Sequence, residues 1–303
     1  MNHKIQLTED GSLTLWSDEF GEAYHSRIGA LREAREKFLE PWLASGSVRP
    51  LKILDACFGL GYNSFCFLDH FWNAKNLEKS NLNPSSQNSQ QIEIIAVEKD
   101  PSLLLQMELV IPFFPRLEDL IQGLIKNNFW ENEIFRIQLH HVPLETIVLS
   151  PELIPSKDFD LVLHDAFSPV KCPELWCAEL FREYFRRMND GGVLITYASA
   201  APVSAALIGA GFSVHSTRPV GRKRGGLMAV KDGKQFVEPE IASLFEKTTA
   251  CVPYRLGPLN KAIIPDIVTL RQTMMKDWQE EKALVVRQGK STIKKFLKIQ
   301  KSG

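Results

Sequence analysis

Residues Lys52–Asn63 read KILDACFGLGYN. The first five, KILDA, are short, β-rich and uncharged until Asp55 once past Lys52, as a strand covered on both faces would be. Gly59 and Gly61 then let the backbone turn sharply and approach a ligand without side-chain interference. From Tyr62 to Trp72 the apolar spacing becomes helical. Strand, glycine turn and helix together are the opening unit of an open α/β sheet, where ligands bind at the carboxyl ends of the strands. A dinucleotide fingerprint would have a third glycine in GxGxxG, but Ser64 stands there.

Working outward, the C-terminal side alternates in the same way. Strands are expected at Ile92–Val97, Ile134–His140, Phe159–Leu163 and Val193–Tyr197, then at Phe212–Ser216 and Gly226–Val230. Between them helices are expected from Pro101 to about Val110, over Arg116–Asn127, over Pro173–Met188 and over Pro202–Gly209, with Asp190-Gly191-Gly192 stopping the third. Asn73–Gln91, rich in Asn, Ser and Gln, reads as a surface loop. On the N-terminal side, Ser12–Trp16 reads as a strand or hairpin and Ile28–Leu43 as an amphipathic helix. The pattern predicts an α/β fold with a mostly parallel, doubly wound sheet and helices on both faces. The short link between the last two strands predicts an antiparallel C-terminal hairpin, which separates a class I, Rossmann-like methyltransferase sheet from a plain dinucleotide-binding one. Three parts are expected: an extension at 1–50, a catalytic domain at 51–231 and a C-terminal extension with a basic tail at 232–303.

Composition fits a globular chain: 303 residues, 44% hydrophobic and 24% charged. No apolar run reaches membrane-span length, and the acidic pair in MNHKIQLTEDGSLTLW occupies the place of a secretory signal's apolar segment, so a cytoplasmic protein is expected. The five cysteines form no CxxC pair and read as small buried hydrophobes, with no metal site. The zero net charge hides a split. From Ser216 onward there are 18 Lys+Arg against 8 Asp+Glu, a net of +10, and the remainder carries 18 against 28, a net of −10. A basic face for a polyanion and a solvated basic tail both account for it.

The strand ends carry the candidate chemistry. The loop after the first strand matches the E/DxGxGxG-like pattern of methyltransferases, though a turn that merely needs glycine is the other reading. Glu98 ends the second strand, where a carboxylate can accept hydrogen bonds from a ribose diol. The third ends in His140-His141, with no carboxylate until Glu145. After the fourth comes His164-Asp165-Ala166-Phe167-Ser168-Pro169, an acid, an aromatic and a proline similar to the D/N-P-P-Y set of amine-directed methyltransferases. An alkylamine, with a pKa of roughly 10, is mostly protonated at neutral pH. A carboxylate beside it can attract the ammonium and accept or relay its proton, while an aromatic ring can stack on a nucleobase. A buried acid capping the next turn is the plain alternative. Gly221-Arg222-Lys223-Arg224-Gly225-Gly226 packs cations between glycines, as a phosphate-wrapping loop or an ordinary hairpin tip would.

With TEDGSLTLWSDEFGEAYHS, CFGLGYN, AVEKD, HDAFSPVKCPELW, GGVLITYAS, GAGF, VGRKRGG and VPYRLGPLN, the sequence resembles the MnmC-like tRNA methyltransferase family over about residues 7–272, in its stand-alone form without the FAD-oxidase domain. The resemblance implies S-adenosyl-L-methionine as cofactor, with neither metal nor flavin, and N-methylation of the aminomethyl group on the tRNA wobble uridine. It implies that Phe58, Gly59, Gly61 and Asn63 hold the cofactor, with Glu98 at its ribose. Asp165 would face the amine, Phe167 and Trp176 would shape the pocket, and Tyr24 and Ser26 would belong to a segment closing over it. Arg222, Lys223 and Arg224 would meet the tRNA backbone, and a separate enzyme would supply the aminomethyl substrate. The family's usual acid after the third strand is replaced by His140-His141. The alternatives are a class I methyltransferase acting on a small-molecule or protein amine, a nicotinamide dehydrogenase, disfavoured by Ser64, and a non-catalytic binding module.

Overall fold

The computed structural model describes residues 3–46, 52–79, 91–150, 152, 154, 157–256, 264–288 and 292–301. The chain divides into two compact units. The first is Met1–Leu144 with Asp158–Phe167 and Val220–Lys223; the second is Glu145–Lys157, Ser168–Pro219 and Arg224–Gly303.

The first unit opens with a small antiparallel sheet of β1 (Lys4–Leu7), β2 (Leu13–Ser17) and β3 (Glu22–Ala23). The expected helix follows as α1 (Ala30–Glu33), a π-helical segment (Ala34–Leu39) and α2 (Glu40–Ala44). The main strands of this unit are β4 (Lys52–Ala56), β5 (Ile92–Val97), β6 (Phe129–Glu131), β7 (Phe135–His140) and β8 (Phe159–His164), ordered β8–β4–β5–β7–β6. The pairs β4–β8, β4–β5 and β5–β7 are parallel. Ile53, Leu54, Ile94, Leu161 and Val162 are fully buried, which is why these strands read as unbroken apolar runs.

The short β6 was not legible in the sequence. Helix α4 (Glu118–Asn127) ends on Asn128 in the left-handed region at φ 57°, so the chain reverses and Phe129–Glu131 pairs antiparallel with β7. Pro101–Phe113 forms a 3₁₀ helix, begun by Asp100, whose Oδ1 accepts the Ser102 N–H at 2.9 Å. Helix α3 runs from Tyr62 to Lys79, so the first part of the expected Asn73–Gln91 loop is helical. Residues 80–90 lie outside the described residues, as do 257–260 of VPYRLGPLN.

In the second unit are the short α5 (Thr146–Leu149), α6 (Ala178–Arg187), β9 (Met188–Thr196), α7 (Ala201–Ala210), β10 (Ser213–Ser216) and β11 (Leu227–Val230). Then come α8 (Pro239–Lys247), α9 (Ile264–Arg287) and the lysine-rich α10 (Thr292–Lys301). β10 and β11 form the expected antiparallel hairpin, and β11 also pairs antiparallel with β9. The helix expected over Pro173–Met188 is interrupted. Pro173–Trp176 is a 3₁₀ turn, and Cys177 is extended because Ala178 N–H donates to Tyr254 O at 2.9 Å. Asp190-Gly191-Gly192 lies within β9 and does not precede it: Gly191 N–H donates to Lys231 O and Lys231 N–H to Gly192 O.

Cys66, Cys172, Cys177 and Cys251 are buried and Cys57 half-buried, and none of the five is in a disulfide. Among the described residues no helix is long and apolar enough to cross a membrane.

Candidate active site

The site is assembled in the first unit at the carboxyl ends of β4, β5 and β8. Past Ala56 the backbone enters the left-handed region at Cys57 (φ 68°), Gly59 (φ 57°) and Gly61 (φ 84°) before α3 begins. A Cβ on Gly61 would come within 2.5 Å of Phe65 and 2.6 Å of Phe58, so both its torsion and its surroundings require glycine. Gly61 N–H donates to Phe58 O at 2.9 Å and closes the turn.

Glu98 is buried behind this turn. Its Oε2 accepts the Gly59 N–H at 3.0 Å and its Oε1 the Asp100 N–H at 2.9 Å. Burial pushes its pKa up, against the pull of these amides. The carboxylate keeps lone-pair capacity for a diol. Asp55, on β4, is fully buried; its Oδ2 accepts from Ser64 Oγ at 2.6 Å, while Oδ1 has no partner among the described residues. Desolvation lifts its pKa to about 7.

Asp165 follows β8 directly. Its N–H donates to Ala56 O at 3.2 Å, and its Oδ2 accepts from Asn63 Nδ2 at 2.8 Å, so α3's first turn fixes the carboxyl. Asp165 keeps partial exposure, yet the surrounding protein strips enough water from it to push its pKa from 3.8 to about 7.

Aromatic rings lie beside this acid. Phe167 stacks on Phe20 with centroids 4.4 Å apart and meets Tyr24 edge-on at 4.9 Å. Tyr24 also sits over the glycine turn, 3.5 Å from where a Gly59 Cβ would stand. Burial, with the fields of Glu98 and Asp100, pushes its phenol well above the ordinary range. Ser26 donates through its N–H and Oγ–H to Glu33, at 2.9 and 2.7 Å. The N-terminal segment is anchored to α3 by Tyr62, whose hydroxyl donates to Leu13 O at 2.9 Å. His25, edge-on to Tyr62, is held neutral, desolvation pulling its pKa down to about 4.

The remaining candidates divide between the two units. Glu98 N–H donates to His140 O at 3.0 Å, and His141 Nε2 lies 3.0 Å from Asn128 Oδ1. Desolvation, then the neighbouring His141, lowers the His140 pKa. Trp176 is fully buried in the second unit, packed near Phe181 and edge-on to Tyr197. Arg222 and Lys223 belong to the first unit and Arg224 to the second, all exposed. Gly221 lies against Ile28: a Cβ there would stand 2.7 Å from Ile28 Cδ1. Sequence reading missed Phe20, Glu33 and Lys37. The i,i+4 spacing of the last two was visible, but their burial was not.

Residues 118–232 match a family described as S-adenosyl-L-methionine-dependent methyltransferase. An uncharacterized protein of Methanocaldococcus jannaschii is 30% identical over 264 residues, covering 84% of this chain and 67% of that protein. The tRNA 5-methylaminomethyl-2-thiouridine biosynthesis bifunctional protein MnmC of Ectopseudomonas mendocina is 28% identical over 260 residues, 80% of this chain. The chain spans only 38% of that bifunctional protein's length. The crystal structure of MnmC2 from Aquifex aeolicus is similar with a TM-score of 0.72 and 27% identity, covering 91% of this chain and 86% of that one. With these likenesses and the glycine turn, buried Glu98 and strand-end Asp165, the chain belongs to the MnmC-like family of S-adenosyl-L-methionine-dependent methyltransferases.

Proposed function

We propose that the protein methylates the 5-aminomethyl group on the wobble uridine of tRNA, giving the 5-methylaminomethyl form. The observation that carries this reading is Asp165: a carboxyl fixed by Asn63 at a strand end, beside the cofactor-type glycine turn, with its pKa near 7.

The residues present fit S-adenosyl-L-methionine. Phe58, Gly59 and Gly61 form a turn that no larger side chain could make at Gly61, Glu98 presents lone-pair capacity to the ribose hydroxyls, and Asp55 Oδ1 is an acceptor without a donor among the described residues. When bound, the cofactor supplies an electrophilic sulfonium methyl group. Asn63 would act at the same place, both lining the cofactor turn and orienting Asp165.

The carboxyl's work is the proton. An alkylammonium has a pKa of roughly 10, so passing its proton to an ordinary aspartate is uphill by roughly 6 units. With Asp165 near 7 the gap falls to roughly 3 units, or about 4 kcal/mol. The ionised form attracts the ammonium, and the raised pKa lets it take the proton, freeing the nitrogen lone pair. Phe167 and Tyr24 offer ring faces and edges to the base, and Ser26 fixes the strap that carries Tyr24.

An RNA substrate is favoured over a small-molecule or protein amine by the contact of Gly221 with Ile28, which keeps Arg222 and Lys223 beside the segment bearing Tyr24 and Ser26. Arg222, Lys223 and Arg224 would neutralise tRNA phosphates. A separate enzyme supplies the aminomethyl nucleoside, and the reaction takes place in the cytoplasm. The test is mass spectrometry of wobble nucleosides after incubating the protein with labelled adenosylmethionine and undermodified tRNA. A label in 5-methylaminomethyl-type uridine is expected; a label anywhere else, or none, rejects the reading.

A further inference from the structure

Glu33 and Lys37 have no part in the roles above, yet both are buried and joined in an ion pair. Lys37 belongs to the π-helical segment Ala34–Leu39, and Glu33 directly precedes it. Such wide helical turns occur often at functional sites. The segment packs on α3, whose first turn carries Asn63, the donor to Asp165. On the other side, Glu33 Oε2 and Oε1 accept the N–H and Oγ–H of Ser26. Two residues before Ser26 is Tyr24, which covers Gly59 and meets Phe167. Burial would raise the Glu33 pKa, but Lys37 and Ser26 outweigh it and hold the carboxyl below its ordinary value, so it stays ionised.

We propose that Glu33 and Lys37 are positioning residues for the Asp165 site: their buried ion pair clamps the Ser26 turn, holds Tyr24 over the glycine turn, and sets the electric field at the Asp165 carboxyl. The proposal rests on the reading of Asp165 as the group facing the amine. Among the described residues, the charged groups that act most on Asp165 are Glu33 and Lys37 from this segment and Asp55 from β4, with Asn63 of α3 as its hydrogen-bond donor. After burial, which raises the pKa most, and Asn63, which lowers it, Glu33 and Asp55 favour the protonated form and Lys37 opposes them. A merely structural ion pair would support stability without moving this titration.

The test follows the Asp165 carboxyl by ¹³C NMR in the full chain, labelled at aspartate, and the pH profile of methyl transfer. Glu33→Gln is expected to move the titration and the acid limb of the profile to lower pH, and Lys37→Met to move both to higher pH. Should either single variant unfold because it leaves a lone buried charge, Glu33→Gln/Lys37→Met carries the test. In it both charges are gone, and the Asp165 titration is expected to leave the wild-type value. A wild-type titration in whichever variant folds overturns the proposal. Asp165→Asn separates the two readings: full turnover in that variant removes the amine-facing role itself, whereas an inactive Asp165→Asn with an unmoved titration in Glu33→Gln removes only the positioning role.

Discussion

At Asp165, one carboxyl combines a hydrogen bond, partial exposure and strong desolvation, and the balance makes it useful at neutral pH. Asparagine at this position keeps the shape and the acceptor for Asn63 but cannot take a proton. Asp165→Asn is therefore expected to lower kcat by at least roughly 100-fold, a usual contribution of general-base groups, while the cofactor Kd measured by calorimetry stays within about threefold. In the wild type, kcat/KM is expected to fall with pH below about 7, where Asp165 becomes protonated. Asp55 obeys the same electrostatics for a different end. Its folded-state pKa is raised above the unfolded value, so its favourable contribution is full below about pH 4 and disappears as pH rises through about 7. Asp55→Asn, which can still accept from Ser64, should hence melt above the wild type at pH 8, with the advantage fading toward pH 4. A shift of this size sets a ceiling of roughly 4 kcal/mol on the gain. Calorimetric melting at both pH values decides it, and a pH-independent difference would mean that Asp55 ionises without penalty.

Among the elements, the turn between β4 and α3 depends most on single residues. Alanine at Gly61 faces a left-handed torsion and two aromatic rings closer than any real Cβ contact. Gly61→Ala is expected to cost at least about 2 kcal/mol, from backbone strain and displaced packing, and to abolish the thermal upshift given by S-adenosylhomocysteine. Melting curves with and without that ligand check both. Gly59, whose Cβ would meet Tyr24 only at ordinary contact distance, should lose less. This turn, the main strands and the final hairpin were legible because each depends on local pattern: apolar runs for buried strands, glycine for positive φ, a short link for an antiparallel pair. What was not legible depends on distant partners. The extended Cys177 that breaks the helix after Trp176 answers to Tyr254, far along the chain. The short β6 exists because β7 offers it an edge, and nothing in PRLEDLIQGLIKNNFWENE announces that. The same holds at the site. Strand ends pointed to Asp165 and Glu98, but Phe20, Glu33 and Lys37 reach it from an N-terminal segment whose only local signals were a charge spacing and an amphipathic helix.

For the whole molecule, the zero net charge is a sum of opposites, and binding should answer to the parts. The last 88 residues, from Ser216 on, carry the +10 excess, and the exposed Arg222-Lys223-Arg224 lies near its start. If these side chains meet tRNA phosphates, neutralising each phosphate releases counterions, and log affinity falls linearly with log salt concentration. Replacing all three by alanine should weaken tRNA binding and flatten that slope by up to roughly 2 to 3 units, about one for each phosphate left without its cation. The affinity for adenosylmethionine, which we propose rests on the first unit's glycine turn and Glu98, should not follow the salt in this way. Fluorescence anisotropy of labelled tRNA across a salt series measures the slope. An unchanged slope in the triple variant would assign the basic loop to solvent and return a small-molecule or protein amine to first place, because the acid, the aromatic rings and the glycine turn suit any amine that fits, whereas only a polyanion has use for the cations.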